Sequence, residues 1–315
     1  MIGYLARRIG VSIVVVLGIT VVTFVLLHTI SGTPGRAVLG LRASPQAVAA
    51  FNRTHGYDEA LVKQYWNYLS TLLQGNLGYS YKLDQSVKAL LSETAGKSAI
   101  LSGSALLLSL LIAIPLGIFQ AVRRNTVGDY ALTSAAMFTY SMPSFFLGLL
   151  LIFIFGLKLN ILPTEAAQTS TVLGVFEQWR SMVLPVATLT LISVASYSRY
   201  MRSSALDALA QDYVMVAKSK GLPQRLVLWS HLLRNACLPI VTLVGLSIPT
   251  LLAGNLITET VFNFPGVGLL FYNSLQNEDY PVLLAYTLVA GVLTVLGNFI
   301  ADLALSVVDP RIRIA

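Results

Sequence analysis

Six long apolar stretches constrain this chain more than any other feature. They cover roughly 9–30, 99–122, 131–157, 182–198, 238–258 and 282–305. About 17–25 apolar residues carry a helix across the hydrocarbon core of a bilayer. A chain with six such runs folds with lipid as its solvent. The charge content agrees: 11% of the residues are charged, against about 25% in an average soluble domain. The expected fold is an all-α membrane protein with six transmembrane helices, organised as one domain over 1–315.

Charge sets the expected orientation, because Lys and Arg on short loops mark the cytoplasmic side. With the N-terminus inside, that side holds Arg7, Arg8, Arg123, Arg124, Arg199, Arg202, Lys218, Lys220, Arg225, Arg234, Arg311 and Arg313, which is twelve of the 21 basic residues. Six spans return the C-terminus to the same side, so both termini are expected in the cytoplasm. The net charge of +7 reads as this bias and not as a nucleic-acid surface. The first stretch follows Arg7 and Arg8 as a signal peptide would. Its apolar run is longer than a signal core and no A-x-A site follows, so it reads as an uncleaved first span. The segment 31–98 is expected to be an external cap of short helices. Within it LVKQYWNYLSTLL (61–73) has helical periodicity and GNLGYS (75–80) reads as a turn.

Catalytic and energy-coupling chemistry is hard to find. No stretch carries a charge near its middle, whereas proton-coupled transporters need ionisable groups there. His28 lies at the end of the first span, where an interfacial role fits. The AGKS run (95–98) lacks the glycine of a phosphate-binding loop, since position 91 is leucine, and it precedes a span instead of following a strand. Cys237 is the sole cysteine, which removes disulfides and cysteine metal clusters. No metal, cofactor or catalytic site is expected in this chain.

One cytoplasmic stretch, DYVMVAKSKGLPQRLVLWSHLLRNACLP (212–239), is basic and only half apolar. Leu206, Leu209, Ala210, Tyr213, Val216 and Ala217 fall on one face of a helix read over 206–220. Gly221 suits the left-handed position after that helix, and Pro223 suits the first position of a second helix. Leu226, Trp229 and Leu233 fall on one side of the second helix. Two roles fit: an interfacial hairpin on the headgroups, or a docking element for a cytoplasmic partner.

The same stretch resembles the cytoplasmic loop of ATP-binding-cassette importer permeases in its peptide-permease form. The matching residues are Asp212-Tyr213-Val214, Ala217, Lys220-Gly221, His231, Leu233-Arg234-Asn235-Ala236 and Pro239. The general loop has Glu-Ala-Ala before its glycine, and here only Ala217 of Met215, Val216 and Ala217 matches. YLARR (4–8), VKQYWNYLSTLLQGNLGYS (62–80), SMPSFFLGLLLI (141–152), ILPTEA (161–166), ETVFNFPGVG (259–268), EDYPV (278–282) and NFIADLALSVVDPRIR (298–313) extend the likeness over most of the chain. SGTPGRA (31–37) departs from the P-G-D-P element common there.

The resemblance implies the type I importer permease fold and a multi-pass place in the bacterial inner membrane. It implies these partners: a second paralogous permease, two cytoplasmic ATPases that bind the ATP and magnesium, and an external solute-binding protein. It makes 203–237 the coupling loop and assigns ATPase docking to Asp212, Tyr213, Ala217, Lys218, Gly221 and Leu222. Ser247, Thr250, Asn255, Thr287, Thr294 and Asn298 are candidate pathway residues, with helix packing as the alternative for each. Pro265-Gly266 and Gly268 read as a tight outer turn. Glu259 reads equally as a pathway residue or as an interfacial carboxylate with a local partner. The implied cargo is di- or oligopeptide, with nickel and glutathione as alternatives in the same complex type. A channel or a membrane assembly protein is the reading from another class, and a channel would need a selectivity ring that the chain does not display.

Overall fold

A computed structural model describes residues 2–30, 34–40, 42–169 and 171–308. Arg311 and Arg313, which entered the charge count, lie outside the described residues, as do Asp309, Pro310 and the SGT run (31–33).

Helix α1 (Ile2–Ile30) is followed by the short helices α2 (Pro34–Leu39), α3 (Pro45–Thr54) and α4 (Leu61–Leu73) and by a hairpin of β1 (Tyr79–Ser80) and β2 (Gln85–Ser86). The segment holds short helices, with two two-residue strands that periodicity cannot register. Helix α5 (Val87–Val122) then runs for 36 residues. It begins 12 residues before the apolar run at 99, because Lys88, Ser92, Glu93, Lys97 and Ser98 keep its first turns out of any hydropathy window. The Ser86 side chain caps it by accepting from Ala89 N at 3.3 Å.

The third stretch is not one straight helix. Helix α6 (Val127–Ser141) and helix α7 (Ser144–Leu151, continued by a π-helical turn over Ile152–Lys158) meet at 104°. The break falls at Met142, whose backbone is extended (φ −75°, ψ 131°). Pro143 disfavours helical backbone in the residue before it. After α8 (Gly174–Glu177), helix α9 (Trp179–Leu209) is longer than the 182–198 run at both ends.

The hairpin region comprises α10 (Asp212–Ser219), α11 (Gln224–Leu226, continued by a π-helical segment Val227–Leu232) and α12 (Leu233–Ala236). Helix α13 (Leu238–Ala253) leaves it at a 50° bend, with Pro239 in its first turn. Helix α14 (Leu256–Val261), α15 (Val267–Gln276) and α16 (Tyr280–Val308) are the last described elements. Among the described residues, four helices are long and apolar enough to span a membrane, and up to six spans result if each bent pair counts as one.

The bundle is built on α5 against α9 and on α13 against α16. One core runs through Ala113, Ile118, Ala121, Met201, Ala205, Ala208, Leu232, Ala236 and Ile240, tying α5, α9 and the hairpin region together. Val14, Leu107, Leu111 and Phe138 are more than 60% exposed. An apolar surface of that extent suits lipid and not water.

Two polar contacts fix the ends of the bundle. At the hairpin end Arg202 on α9 grips Asp129 on α6 with two bonds, Nε to Oδ1 at 2.8 Å and Nη2 to Oδ2 at 2.7 Å. Asp129 is 1% exposed and also accepts from Asn125 N and Thr133 Oγ1. At the cap end Ser80 donates to Asp279, which precedes α16.

Candidate functional site

Helix α9 ends at Leu209, and Gln211 is extended (φ −79°, ψ 149°) before α10 begins. The helix read over 206–220, and with it the 207–222 coupling segment, is therefore two helices, and the break rotates one relative to the other. Leu206 and Leu209 belong to α9, while the buried face of α10 is Val214 and Ala217. These pack on Val227, with Leu209 and Leu222 alongside. Tyr213 and Val216, placed on the apolar face by periodicity, are exposed.

The turn after α10 is a Schellman motif. Gly221 N donates to Lys218 O at 2.9 Å and Leu222 N to Ala217 O at 3.4 Å. Gly221 has φ +73°, the left-handed conformation that only glycine adopts without strain. Leu222 packs back on the α10 core, the apolar contact that usually accompanies this cap. Pro223 sits one place before the second helix, as its extended cap residue (φ −60°, ψ 140°).

The residues assigned to docking separate into two groups. Asp212, Tyr213, Lys218 and Gly221 are on the outer surface of the hairpin. Ala217 is buried in the hairpin's own core and Leu222 is half-buried there. On the second helix Val227 and Leu232 are buried, and Leu226 and Trp229 are exposed beside Pro223 and Arg225. The π-helical segment shifts the register that the 3.6-residue period assumes.

The pathway candidates also separate. Ser247, Thr250 and Asn255 line one cavity of about 60 Å³ together with Ser102, Ser193 and Tyr197. Asn255 Nδ2 donates to Ser102 Oγ at 2.7 Å, and Ser102 Oγ lies 3.4 Å from Thr250 O. All of these groups are uncharged, so the cavity presents hydrogen-bond donors and acceptors without selecting charge. Thr287 and Thr294 instead bond the carbonyls of Leu283 and Ala290 on their own helix, and the Asn298 carbonyl accepts from Arg8. Those three are absent from the cavity. Ser102, Ser193 and Tyr197 escaped the sequence reading because small polar residues on apolar helices carry no signal of which way they face.

Glu259 has local partners. It is fully buried and accepts from Ser98 Oγ (2.9 Å), Asn255 N (2.9 Å), Gly268 N (2.7 Å) and Leu269 N (3.2 Å). Burial pushes its pKa above the ordinary carboxylate value, and the four hydrogen bonds pull it back. A Cβ on Gly266 would lie 2.3 Å from Glu259 Oε2 and 2.4 Å from Ser98 Oγ, and one on Gly268 would lie 2.9 Å from Oε2. The glycines of ETVFNFPGVG thus make room for a carboxylate that ties α5, α14 and α15 together. The AGKS run lies inside α5, where Lys97 is 2% exposed and donates to Glu93 at 3.3 Å.

The profile of the family described as binding-protein-dependent transport system inner membrane component matches residues 113–314. The profile for the N-terminal part of such components matches residues 1–95. Among similar proteins, the oligopeptide transport system permease protein AppB of Bacillus subtilis is 35% identical, covering 99% of this chain and 100% of its own. A putative peptide permease protein of Brucella ovis is 36% identical over the whole of both chains. The dipeptide transport system permease protein DppB of Escherichia coli K12 is 33% identical over 99% of each.

Proposed function

The chain belongs to the family of binding-protein-dependent transport system inner membrane components, and on that premise we propose that it is one of two permease subunits of an ATP-driven importer of di- or oligopeptides. It is a multi-pass membrane protein with the type I importer permease fold. The observation that carries the mechanism is the Schellman-capped helix α10, which presents Asp212, Tyr213 and Lys218 outward from the end of the bundle.

In this reading 203–237 is the cytoplasmic coupling loop, 31–98 contains the external cap, and both termini are cytoplasmic. Two partner ATPases bind the ATP and magnesium. Their closure moves α10, which packs on Val227 and Leu209, and the core shared by the second hairpin helix, α9 and α5 carries the motion into the bundle. The two permeases rock between inward-open and outward-open states, and an external binding protein delivers the cargo. The 60 Å³ cavity admits little more than water, so a peptide passes only after the helices around it separate. Its uncharged lining suits cargo recognised by backbone amides, which every peptide shares, and the names of the relatives in Bacillus and Escherichia point the same way.

Co-expression with the neighbouring transport genes tests the reading. The two ATPases should co-purify with this chain and its partner permease. Reconstituted vesicles should take up labelled di- or oligopeptide only with ATP and binding protein. Passive flux without them would support a channel, and uptake of nickel or glutathione in preference to peptide would reassign the cargo.

A further inference from the structure

Helix α4 has two faces of different chemistry. One face docks on α1: Tyr65 Oη is 2.9 Å from Thr20 Oγ1 and Gln64 Oε1 is 3.1 Å from His28 Nε2. The Phe24 ring packs against Tyr65 and Tyr68 at centroid distances of 5.4 and 6.1 Å. The opposite face carries Val62, Trp66 and Leu73, which are 83%, 67% and 84% exposed. These positions, spaced four and seven apart, form one helical stripe. Large apolar side chains bared to that degree along one stripe are out of place on a water-facing cap.

Depth along α1 decides what covers them. The span of α1 runs Arg7–Thr29. Phe24 lies five residues below its end and Thr20 nine, which at about 1.5 Å per residue is roughly 7 and 14 Å. Half of a hydrocarbon core is about 15 Å. The contacts with Phe24 and Thr20 therefore hold α4 below the end of the span, at the depth of an interfacial amphipathic helix, about 5–10 Å into the headgroup and acyl boundary. On α1 the residues beside the covered face, Val21, Val22, Val25 and Leu26, are themselves exposed, so the stripe on α4 continues the lipid-facing surface of the first span.

From this we propose that α4 is a membrane-embedded helix, with Val62, Trp66 and Leu73 in contact with acyl chains of the leaflet on the cap side. Trp66 is the anchor, a ring suited to the membrane interface. Lys63, paired with Glu59 at 2.6 Å, sits off the stripe and reaches the headgroups. The cap is then moored in lipid through α4, on α1 through Tyr65 and Gln64, and just ahead of α16 through Ser80 and Asp279. The contact is the same whichever face of the membrane carries the cap, so a failed importer reading leaves it intact.

The test is spin-label accessibility in the full chain, reconstituted in nanodiscs of phosphatidylethanolamine and phosphatidylglycerol, alone and in the assembled complex. Labels go at Val62→Cys, Trp66→Cys and Leu73→Cys in a Cys237→Ser background, with Gln74→Cys as a neighbour outside the stripe. Oxygen should relax the three stripe labels more strongly than a water-soluble nickel chelate, and the Gln74 label should show the reverse. Higher nickel than oxygen accessibility at Val62 and Trp66 would place the stripe in water and overturn the proposal. Low accessibility to both reagents in the complex would mean that protein covers the stripe, which overturns it equally.

Discussion

At the scale of single residues, Gly221 separates local strain from global folding. Nothing lies within 4 Å of a Cβ built there, so the penalty for a side chain comes only from φ +73°. Gly221→Val should cost on the order of 1–2 kcal/mol in the turn. Membrane insertion and bundle melting should be unchanged, and ATPase stimulation by loaded binding protein should fall severalfold. Stimulation equal to the parent's would show that this turn does not orient the docking surface. Ala217 behaves differently: Ala217→Arg places a charge in the hairpin's own core and should destabilise the hairpin whether or not it docks. Tyr213→Ala, on the outer surface, is the cleaner probe of docking. Around Glu259 the close approach is steric. Gly266→Ala should lower the melting temperature of the purified chain, because the added carbon has no room beside Oε2. Glu259→Gln turns one acceptor into a donor facing backbone N–H groups and should cost about 1–3 kcal/mol. An unchanged melting temperature in both variants would refute the tie between α5, α14 and α15.

Among elements, the joint between α6 and α9 carries the sharpest expectation. Removing one member of a fully buried ion pair leaves the other uncompensated and costs about 3–5 kcal/mol, and the cost here is smaller because Arg202 keeps 28% exposure while Asp129 is buried. Arg202→Met should therefore loosen α6 from α9. The double variant Asp129→Asn with Arg202→Met should recover much of the loss, since no charge is then stranded. Thermal melts in detergent of the two singles and the double measure the coupling. Additive losses would mean that the two residues act independently. At the same scale the sequence was partly legible. The α6–α7 break sits at Met142-Pro143, a dipeptide whose preference is local, yet a continuous apolar run concealed it. The start of α5 at Val87 was hidden because its first turns are polar and packed against α15 and α16.

For the whole molecule, the orientation proposed above rests on the basic short loops at the hairpin end. Single cysteines at Gln74 and Gln224, in a Cys237→Ser background, should react with an impermeant thiol reagent from opposite sides of the membrane. Reaction of both from one side would refute the topology. The two positions flank the structure's main asymmetry, an aromatic cap at one end and a basic hairpin at the other.

Hydropathy alone determined that this chain dissolves in lipid as a helical bundle, because partitioning depends on composition over a window and not on neighbours in space. The capping glycine at 221 was equally legible, since a left-handed turn is a property of a few adjacent residues. The faces were not. Periodicity put Tyr213, Val216 and Ala217 on the packed side of the hairpin, and after the break at Gln211 only Ala217 of these stays there, joined by Val214. Small polar residues in the fifth and sixth stretches supplied six pathway candidates, and helix rotation brought three of them to one cavity with Ser102, Ser193 and Tyr197. In an apolar chain the solvent on both sides of a helix is nearly the same, so no amphipathic pattern records which side meets protein. Helix breaks, close crossings and buried hydrogen bonds make that choice, and they exist only once the helices have packed.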